Sequence, residues 1–443
     1  MKIAIIGGGL SGLLCAVMLE ARGYSPTIYE RLPKIGGVLD SFKRKKVLFD
    51  IGFHYSGAVA KNQYLYKSMD AIGLLEKLHF SSYRDFFDTL YIDDKVFHIP
   101  NSSQAFKEQL QNSFPHEQET IETFFTKCYE ASVISSQPED FVKIDSRSVG
   151  DVLQGIKDTT LRKIFLHFTI FYTTALYEDA SFDFYAKIFI NMLDGTRKVD
   201  GGGGAIVNGL VALMQKTTIQ KRSEVSQILQ TQEGICGLVC NGEEVFYDAI
   251  ISTVHPKVTM DMVKNLDKKQ IRYKKHIDVL EESPSFFSIF CLIDAKIEQN
   301  LYFYEEEFIS VLPSREYEGK TVATILAGSY FSEYENLSKE AYKEKKEQEC
   351  AYHLARVKKL YDFGHIEVIE SATPMTKQHY SNGAEGSIYG IMCSAKQKSL
   401  SVLMPRTRVQ NLYFAGENIL APGLIGAFLG AEILMNYFEN KKS

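Results

Sequence analysis

The chain has 443 residues, 45% hydrophobic and 24% charged, with 31 glycines and only 11 prolines, a composition that fits a folded protein of two or three domains. Fifty Lys and Arg against 55 Asp and Glu leave a formal charge of −5, which argues against a basic face for nucleic acid. Seven scattered cysteines (Cys15, Cys128, Cys236, Cys240, Cys291, Cys350 and Cys393) form no C-x-x-C, which argues for reduced thiols and against a disulfide framework or a zinc site.

The N-terminal "KIAIIGGGLSG" reads as a β-branched strand followed at once by Gly7-x-Gly9-x-x-Gly12 and an apolar helix over 13–22. "SPTIYE" is a second strand, ending in the acid Glu30. Strand, glycine turn, helix and a second strand with a terminal acid form the context that a dinucleotide fingerprint requires. Gly7 makes the tight turn, and Gly9 lets the backbone approach a pyrophosphate. The phosphates rest on the helix N-terminus at Leu10 and Ser11, while Gly12 lets the helix pack on the strand. Glu30 is placed to bond the ribose hydroxyls. Lys2 and the apolar run after it could be misread as a signal peptide. Four glycines inside the run argue against that, and a cytoplasmic protein is expected.

"ERLPKIGGVLDSF" then sets Gly36-Gly37 just after Glu30, and "VLFDIGFHYSG" supplies a strand, Asp50, Gly52, His54 and Tyr55. Residues 76–200 are aromatic and mostly helical, behind the hairpin-like "FFDTLYIDDKVFHIP". In "KVDGGGGAIVNGLVALM" four glycines open an amphipathic helix, and without a following Lys-Ser/Thr it is no P-loop. "EVSQILQTQEGICGLVCNGEEVFYDAIISTVHP" alternates as three strands. Over 257–364, "SFFSIFCLID", "NLYFYEE" and "VATILAG" read as strands and 338–361 as a charged helix. There is no internal repeat and no second G-x-G-x-x-G, so a separate nicotinamide domain is not expected.

Residues 413–438, "YFAGENILAPGLIGAFLGAEILMNYF", are the most apolar stretch of their length and carry a Gly426-xxx-Gly430 step. A membrane span needs about 20 uninterrupted apolar residues. Here Glu417-Asn418 and Pro422-Gly423 break the run, and Glu432 lies inside the remainder. The expectation is a strand ending at the acid, followed by a separate helix.

"FDIGFHYSG", "ATPMTKQHYSNGAEGSIYG" and "NLYFAGENILAPGLIGAFLGAEIL", taken with the N-terminus, resemble the amine oxidase superfamily. They look most like its branch of phytoene desaturases, carotenoid isomerases and all-trans-retinol 13,14-reductases (retinol saturases). The resemblance implies an α/β fold in which a Rossmann-type FAD-binding domain, glutathione reductase-like, interleaves with a mixed α+β substrate domain. The FAD segments would be 1–75, 195–260 and 365–443, and the substrate segments 76–194 and 261–364. The double glycine Gly36-Gly37 would run beneath the diphosphate and ribityl chain, with Val38 where many members carry Arg, and Arg31 as a substitute charge. Gly52 and His54 would lie near the flavin, Val225 would meet the adenine, and Gly416 and Glu417 would hold the ribityl chain. Gly423, Leu424, Ile425, Gly426 and Ala427 would open a helix aimed at the flavin. Its small residues, Gly426, Ala427 and Gly430, would permit close approach to the flavin and the sheet. Cys393 lies in the general region where some amine oxidases attach FAD, but its surroundings differ from theirs, so FAD is expected to be non-covalent.

The implied reaction is hydride transfer at C=C or C–C bonds of a long apolar polyene or isoprenoid, by saturation, isomerisation or desaturation. His54 and Tyr55 are the candidate catalytic residues for proton transfer, with Tyr172, Tyr177 and Tyr389 as weaker alternatives. Asp50 is read as ordering its own loop. Phe171, Tyr172, Tyr177, Gly203 and Tyr389 are candidate pocket residues, and the aromatic 165–193 stretch is suited to line a slot, with an ordinary helical core as the equal alternative for any single residue. Such substrates dissolve in bilayers, which fits peripheral membrane contact, although no basic amphipathic helix points to it. The substrate, the electron donor or acceptor and the oligomeric state are not encoded legibly. Two other readings share this fold: an amine oxidase, against which the absent Trp counts, and a non-enzymatic prenyl-binding protein of the Rab GDP-dissociation inhibitor type, against which the intact diphosphate motif counts.

Overall fold

The structure, a computed structural model, describes residues 1–134, 147–170, 175, 177–305, 308–397 and 403–439. Its N-terminal strand, Ile3–Ile6, is buried along its whole length and therefore apolar at every position, as expected of a strand covered on both faces. It is the centre of a five-stranded sheet in the order Leu412–Phe414, Ala249–Ser252, Ile3–Ile6, Thr27–Glu30, Thr218–Lys221. Every pairing is parallel, with Ile5 opposite both Ile28 and Ile251. On one face the helices Leu10–Ala21, Gly202–Leu213 and Gly423–Glu439 bury Leu13, Leu14, Leu210, Phe428 and Leu434 together. On the other face Ala4, Ile6, Ile250 and Phe414 pack against Ile228 and Leu238.

Those last two belong to a three-stranded antiparallel sheet, Val225–Thr231, Gly234–Cys240 and Glu243–Phe246. The stretch read as three strands thus holds four, because Ala249–Ser252 leaves the antiparallel sheet to join the parallel one.

A seven-stranded sheet runs in the order Ile366–Ala372, Ser285–Ile293, Lys320–Ser329, Phe308–Tyr317, Asn300–Tyr304, Phe86–Ile92, Lys95–Pro100. It is antiparallel except where Asn300–Tyr304 lies parallel to Phe86–Ile92. The strand Phe308–Tyr317 escaped the sequence reading because Pro313, which removes a ladder donor, reads as a strand breaker; the ladder slips register between Pro313 and Arg315. The strand Ile366–Ala372, read with the third cofactor segment, forms an edge of this sheet.

One face of the sheet is covered by the helices Ser103–Ser113, Gln118–Ala131, Thr159–Ile170 and Phe182–Leu193. Phe124 lies 4.2 Å from Phe165 and Phe168 4.8 Å from Phe189, centroid to centroid, and Phe165, Phe168, Tyr185 and Phe189 are fully buried. Each such ring contributes on the order of 1.5–3 kcal/mol by leaving water. Phe165, Phe168, Phe182, Tyr185 and Phe189 of the stretch expected to line a slot are therefore packed core: they are occupied by one another.

The C-terminal helix Gly423–Glu439 has 17 residues and rests on the first helix. Its Glu432 accepts a hydrogen bond of 2.7 Å from the Tyr64 hydroxyl, so the acid within the apolar run has a partner inside the protein. Among the described residues no helix is long and apolar enough to cross a membrane.

Candidate functional site

At the N-terminal turn the three glycines do different work. Gly7 has φ 102° and donates to the Tyr29 carbonyl at 2.9 Å; a Cβ there would lie 2.5 Å from Thr253 Oγ1. At Gly12 a Cβ would lie 2.0 Å from the Gly7 carbonyl oxygen, so only hydrogen fits between helix and strand. At Gly9, by contrast, the nearest atom to a Cβ would be the Gly37 Cα at 3.9 Å. The two glycine turns are tied edge to edge by a Gly9–Gly36 bridge and by the Gly36 N–H, which donates to the Gly8 carbonyl at 2.8 Å. The two backbones approach closely there: a Cβ on Gly37 would lie 3.3 Å from the Gly9 Cα. Leu10 and Ser11 begin the helix above this contact, which has no side-chain cap and no acid in its first turn, leaving its N–H groups and positive dipole end to an anion.

Glu30 is braced by this turn. Its Oε2 accepts the Gly8 N–H at 2.8 Å and its Oε1 the Leu32 N–H at 2.7 Å. A carboxylate has about four acceptor sites, so further hydroxyls can be accommodated. Val225 stands nearby: it pairs with Cys240, two residues after Ser223, whose N–H donates to the Glu30 carbonyl at 2.9 Å. Arg31 donates to the carbonyls of His379 (2.6 Å) and Tyr380 (3.4 Å) and so fastens the end of the helix Pro374–Ser381. The Val38 carbonyl receives the Gly52 N–H at 3.1 Å, which seats the Asp50–Tyr55 loop on the double-glycine turn.

The C-terminal motif reaches the same place. Gly416 has φ 126°, and a Cβ on it would lie 3.3 Å from Ser11 Oγ. Glu417, half-buried beyond the strand, has its carboxyl pushed up by burial, with Lys377 and His255 opposing. Burial pushes Lys377 down to about 8, with Glu417 opposing, and raises the Tyr389 hydroxyl, with Glu417 adding to it. Lys377 escaped the sequence reading because its place beside Glu417 depends on how the helix Pro374–Ser381 docks. Gly423, at φ 64°, lies against the Tyr389 ring, with Leu424 and Ile425 half-buried and Ala427 buried. At Gly426 a Cβ would lie 1.6 Å from the Ala421 carbonyl oxygen, and at Gly430 3.3 Å from the Gly416 N. These two glycines permit loop and helix to close on each other.

In the middle of the chain Arg315 Nη2 lies 2.6 Å from both Asp50 carboxylate oxygens, and Asp50 is buried. A Cβ on Gly202 would lie 2.5 Å from Asp50 Oδ1, so the start of the glycine-rich helix sits on this ion pair. Gly203, expected to line a pocket, packs on backbone instead: its Cβ would lie 2.2 Å from the Leu39 carbonyl oxygen. His54 is half-buried, and its Nδ1 is buried without a hydrogen-bond partner. Burial pushes its pKa down to about 4, Asp50 pulling upward and Lys198 pushing further down, so the ring is neutral near pH 7. The Tyr55 hydroxyl lies 3.2 Å from Asp88 and 2.7 Å from the Tyr302 hydroxyl. Tyr177 is exposed, with φ 52°; Phe171 and Tyr172 lie outside the described residues. Cys393 accepts the Ser181 N–H through its carbonyl at 3.1 Å.

The family model described as flavin containing amine oxidoreductase matches residues 10–427. The all-trans-retinol 13,14-reductase of Danio rerio is 22% identical, over 97% of this chain and 84% of its own. The 4,4'-diapophytoene desaturase (4,4'-diaponeurosporene-forming) of Staphylococcus aureus (strain MRSA252) is 23% identical, over 67% of this chain and 64% of its own. Among solved structures, an oxidoreductase from Methanosarcina mazei superposes with a TM-score of 0.74 at 17% identity, covering 99% of this chain and 100% of that one, a likeness of fold. The fold is thus shared with that oxidoreductase, and it contains the Rossmann-type parallel sheet that the N-terminal fingerprint implied. Matched along nearly its whole length, the chain belongs to the flavin containing amine oxidoreductase family.

Proposed function

We propose that the protein binds FAD non-covalently between the two glycine turns and uses it to add or remove hydrogen across carbon–carbon bonds of a long apolar polyene or isoprenoid. The observation that carries the cofactor reading is the meeting of the two glycine turns at Gly9 and Gly37 below an uncapped helix start, where a diphosphate finds N–H donors and no side chain in its way. In this reading Gly7, Gly9, Leu10, Ser11 and Gly12 take the diphosphate, Glu30 a ribose and Val225 the adenine. Gly36, Gly37 and Val38 run beneath the ribityl chain, and Glu417 bonds it. Gly423–Ala427 bring a helix start to the ring, and the partnerless Nδ1 of His54 is an unused polar contact on the same side. A bound flavin supplies hydride transfer. The protein's own share is to hold the ring, exclude water and supply or remove a proton beside it.

The substrate class rests on the relatives, a retinol reductase aligned over 97% of this chain and a diapophytoene desaturase over 67%. Acid precipitation of the purified yellow protein is expected to release FAD into the supernatant. Incubation of the reduced protein with all-trans-retinol, or of the oxidised protein with 4,4'-diapophytoene, is expected to give a product differing by two hydrogens. A colourless protein that takes up no FAD would overturn the cofactor reading. Peroxide formation with amines, and no change in either polyene, would overturn the substrate reading in favour of an amine oxidase.

A further inference from the structure

Between the aromatic core and the seven-stranded sheet runs a line of polar side chains that the cofactor groove does not explain. Tyr304 Oη lies 2.6 Å from His167 Nδ1, and His167 Nε2 lies 3.3 Å from Asp88 Oδ2. Tyr55 Oη lies 3.2 Å from that same carboxylate oxygen and 2.7 Å from Tyr302 Oη. Asn300 donates its Nδ2–H to Asp88 Oδ1 at 2.8 Å. Asp88, His167 and Asn300 are completely buried and Tyr302 is 1% exposed. Only the ends approach solvent. Tyr304 is half-buried beside the exposed Glu305, and Tyr55 is half-buried in the loop that packs on the double-glycine turn.

A carboxylate only accepts, which fixes the polarity of the chain. With the His167 tautomer that donates through Nε2 to Asp88, Nδ1 accepts from the Tyr304 hydroxyl. Tyr55 donates to Asp88, and Tyr302 therefore donates to Tyr55. Burial holds the Tyr304 hydroxyl well above the ordinary phenol range, with Tyr177 and Asp88 adding to it, so this end keeps its proton. A network meant only to fasten the core gains little from ionisable groups, since an apolar replacement of similar volume is often as stable. An unbroken sequence of phenol, imidazole, carboxylate and phenol, fully buried in the middle and half-buried at its ends, is instead a path along which a proton can move.

We propose that Asp88 and His167 are positioning residues of a proton relay that connects solvent at Tyr304 to Tyr55, and that Tyr55 exchanges the proton with the substrate. This rests on the reading that hydrogen is added or removed at carbon. In the reducing direction the Tyr55 O–H bond breaks as the substrate C–H bond forms. The Tyr55 oxygen regains a proton from the Asp88–His167 pair, and water at Tyr304 restores the pair. The electron pair is the flavin's share, and the oxidative direction reverses each move.

The test uses the flavin-loaded full chain with ¹⁵N-labelled histidine. Removing one hydroxyl at either end, by Tyr55→Phe or Tyr304→Phe, is expected to shift the His167 ring-nitrogen signals. His167 signals unmoved by Tyr55→Phe would overturn the relay, whatever the substrate. Where a polyene is turned over, Tyr55→Phe is expected to slow kcat by about 10²–10⁴-fold with little change in KM. His167→Gly should be slowed similarly and rescued by added azoles in the order of their basicity. Equal rescue by imidazole and by the weakly basic thiazole would reduce His167 to a space-filler and overturn the proposal. If the wild-type protein changes no polyene, the substrate reading has failed, and the coupling seen by NMR still decides the relay.

Discussion

The contrast between Gly9 and Gly12 separates folding from cofactor binding within one turn. A methyl group at Gly12 would stand 2.0 Å from the Gly7 carbonyl oxygen, where real contacts do not fall below 3.0 Å, so strand and helix must part by about 1 Å. Overpacking of that size costs about 1–3 kcal/mol. At Gly9 the nearest atom is 3.9 Å away, and φ −75°, ψ −176° is open to any residue. Gly9→Ala is therefore expected to leave the flavin-free protein as stable as wild type, or more stable by about 0.4–1 kcal/mol through the stiffer unfolded chain. Its methyl group would nevertheless occupy the gap assigned to the diphosphate. Losing one or two charge-assisted hydrogen bonds there, each worth about 1.5–3 kcal/mol, weakens FAD roughly 10- to 10,000-fold. Urea titration of the stripped proteins and fluorescence titration with FAD measure the two quantities separately. A Gly9→Ala protein that binds FAD as wild type does, or a Gly12→Ala protein of unchanged urea midpoint, would refute the assignment.

Other consequences follow from the ion pair, the histidine and the C-terminal turn. Arg315→Leu strands the buried Asp50 beneath the glycine-rich helix. Because the Arg315 side chain is 26% exposed, the loss is set below that of a fully buried pair, at about 1–3 kcal/mol by urea denaturation; an unchanged midpoint would contradict it. The folded pKa of His54, about 4, lies below its ordinary 6.5, so the unfolded chain takes up the proton first as the pH falls. The stability that its neutral form contributes is whole above pH 6.5 and lost towards pH 4, and His54→Gln should flatten that limb of a melting-temperature profile. Gly426→Ala, 1.6 Å from the Ala421 carbonyl oxygen, is expected to lower the stability of the flavin-free protein as well as its FAD content. Loss of FAD alone would support the view that this glycine faces the cofactor.

What the sequence disclosed and what it hid divide along a physical line. Gly12 is legible because a backbone contact tolerates no side chain, and Gly7, Gly36 and Gly416 because their positive φ favours glycine, so the constraint is written into the residue itself. The acid at the end of the second strand was legible for a similar reason, since it sits a fixed distance along one βαβ unit. Asp50–Arg315 and Asp88–His167 were not, because the partners lie 265 and 79 residues apart and meet only when sheets and helices dock. The aromatic stretch left two readings open, because Phe165, Phe168 and Phe189 look alike whether they line a slot or fill a core. Pro313 hid a strand by obeying a local rule that a register shift relaxes.

The most direct measurement of the account is an anaerobic stopped-flow record of the flavin absorbance. Reduced protein mixed with all-trans-retinol should regain the oxidised spectrum in a single turnover, with one dihydro product per flavin reoxidised, while oxidised protein mixed with amines should show no bleaching. Bleaching by an amine, together with a reduced spectrum unchanged by any polyene, would contradict it.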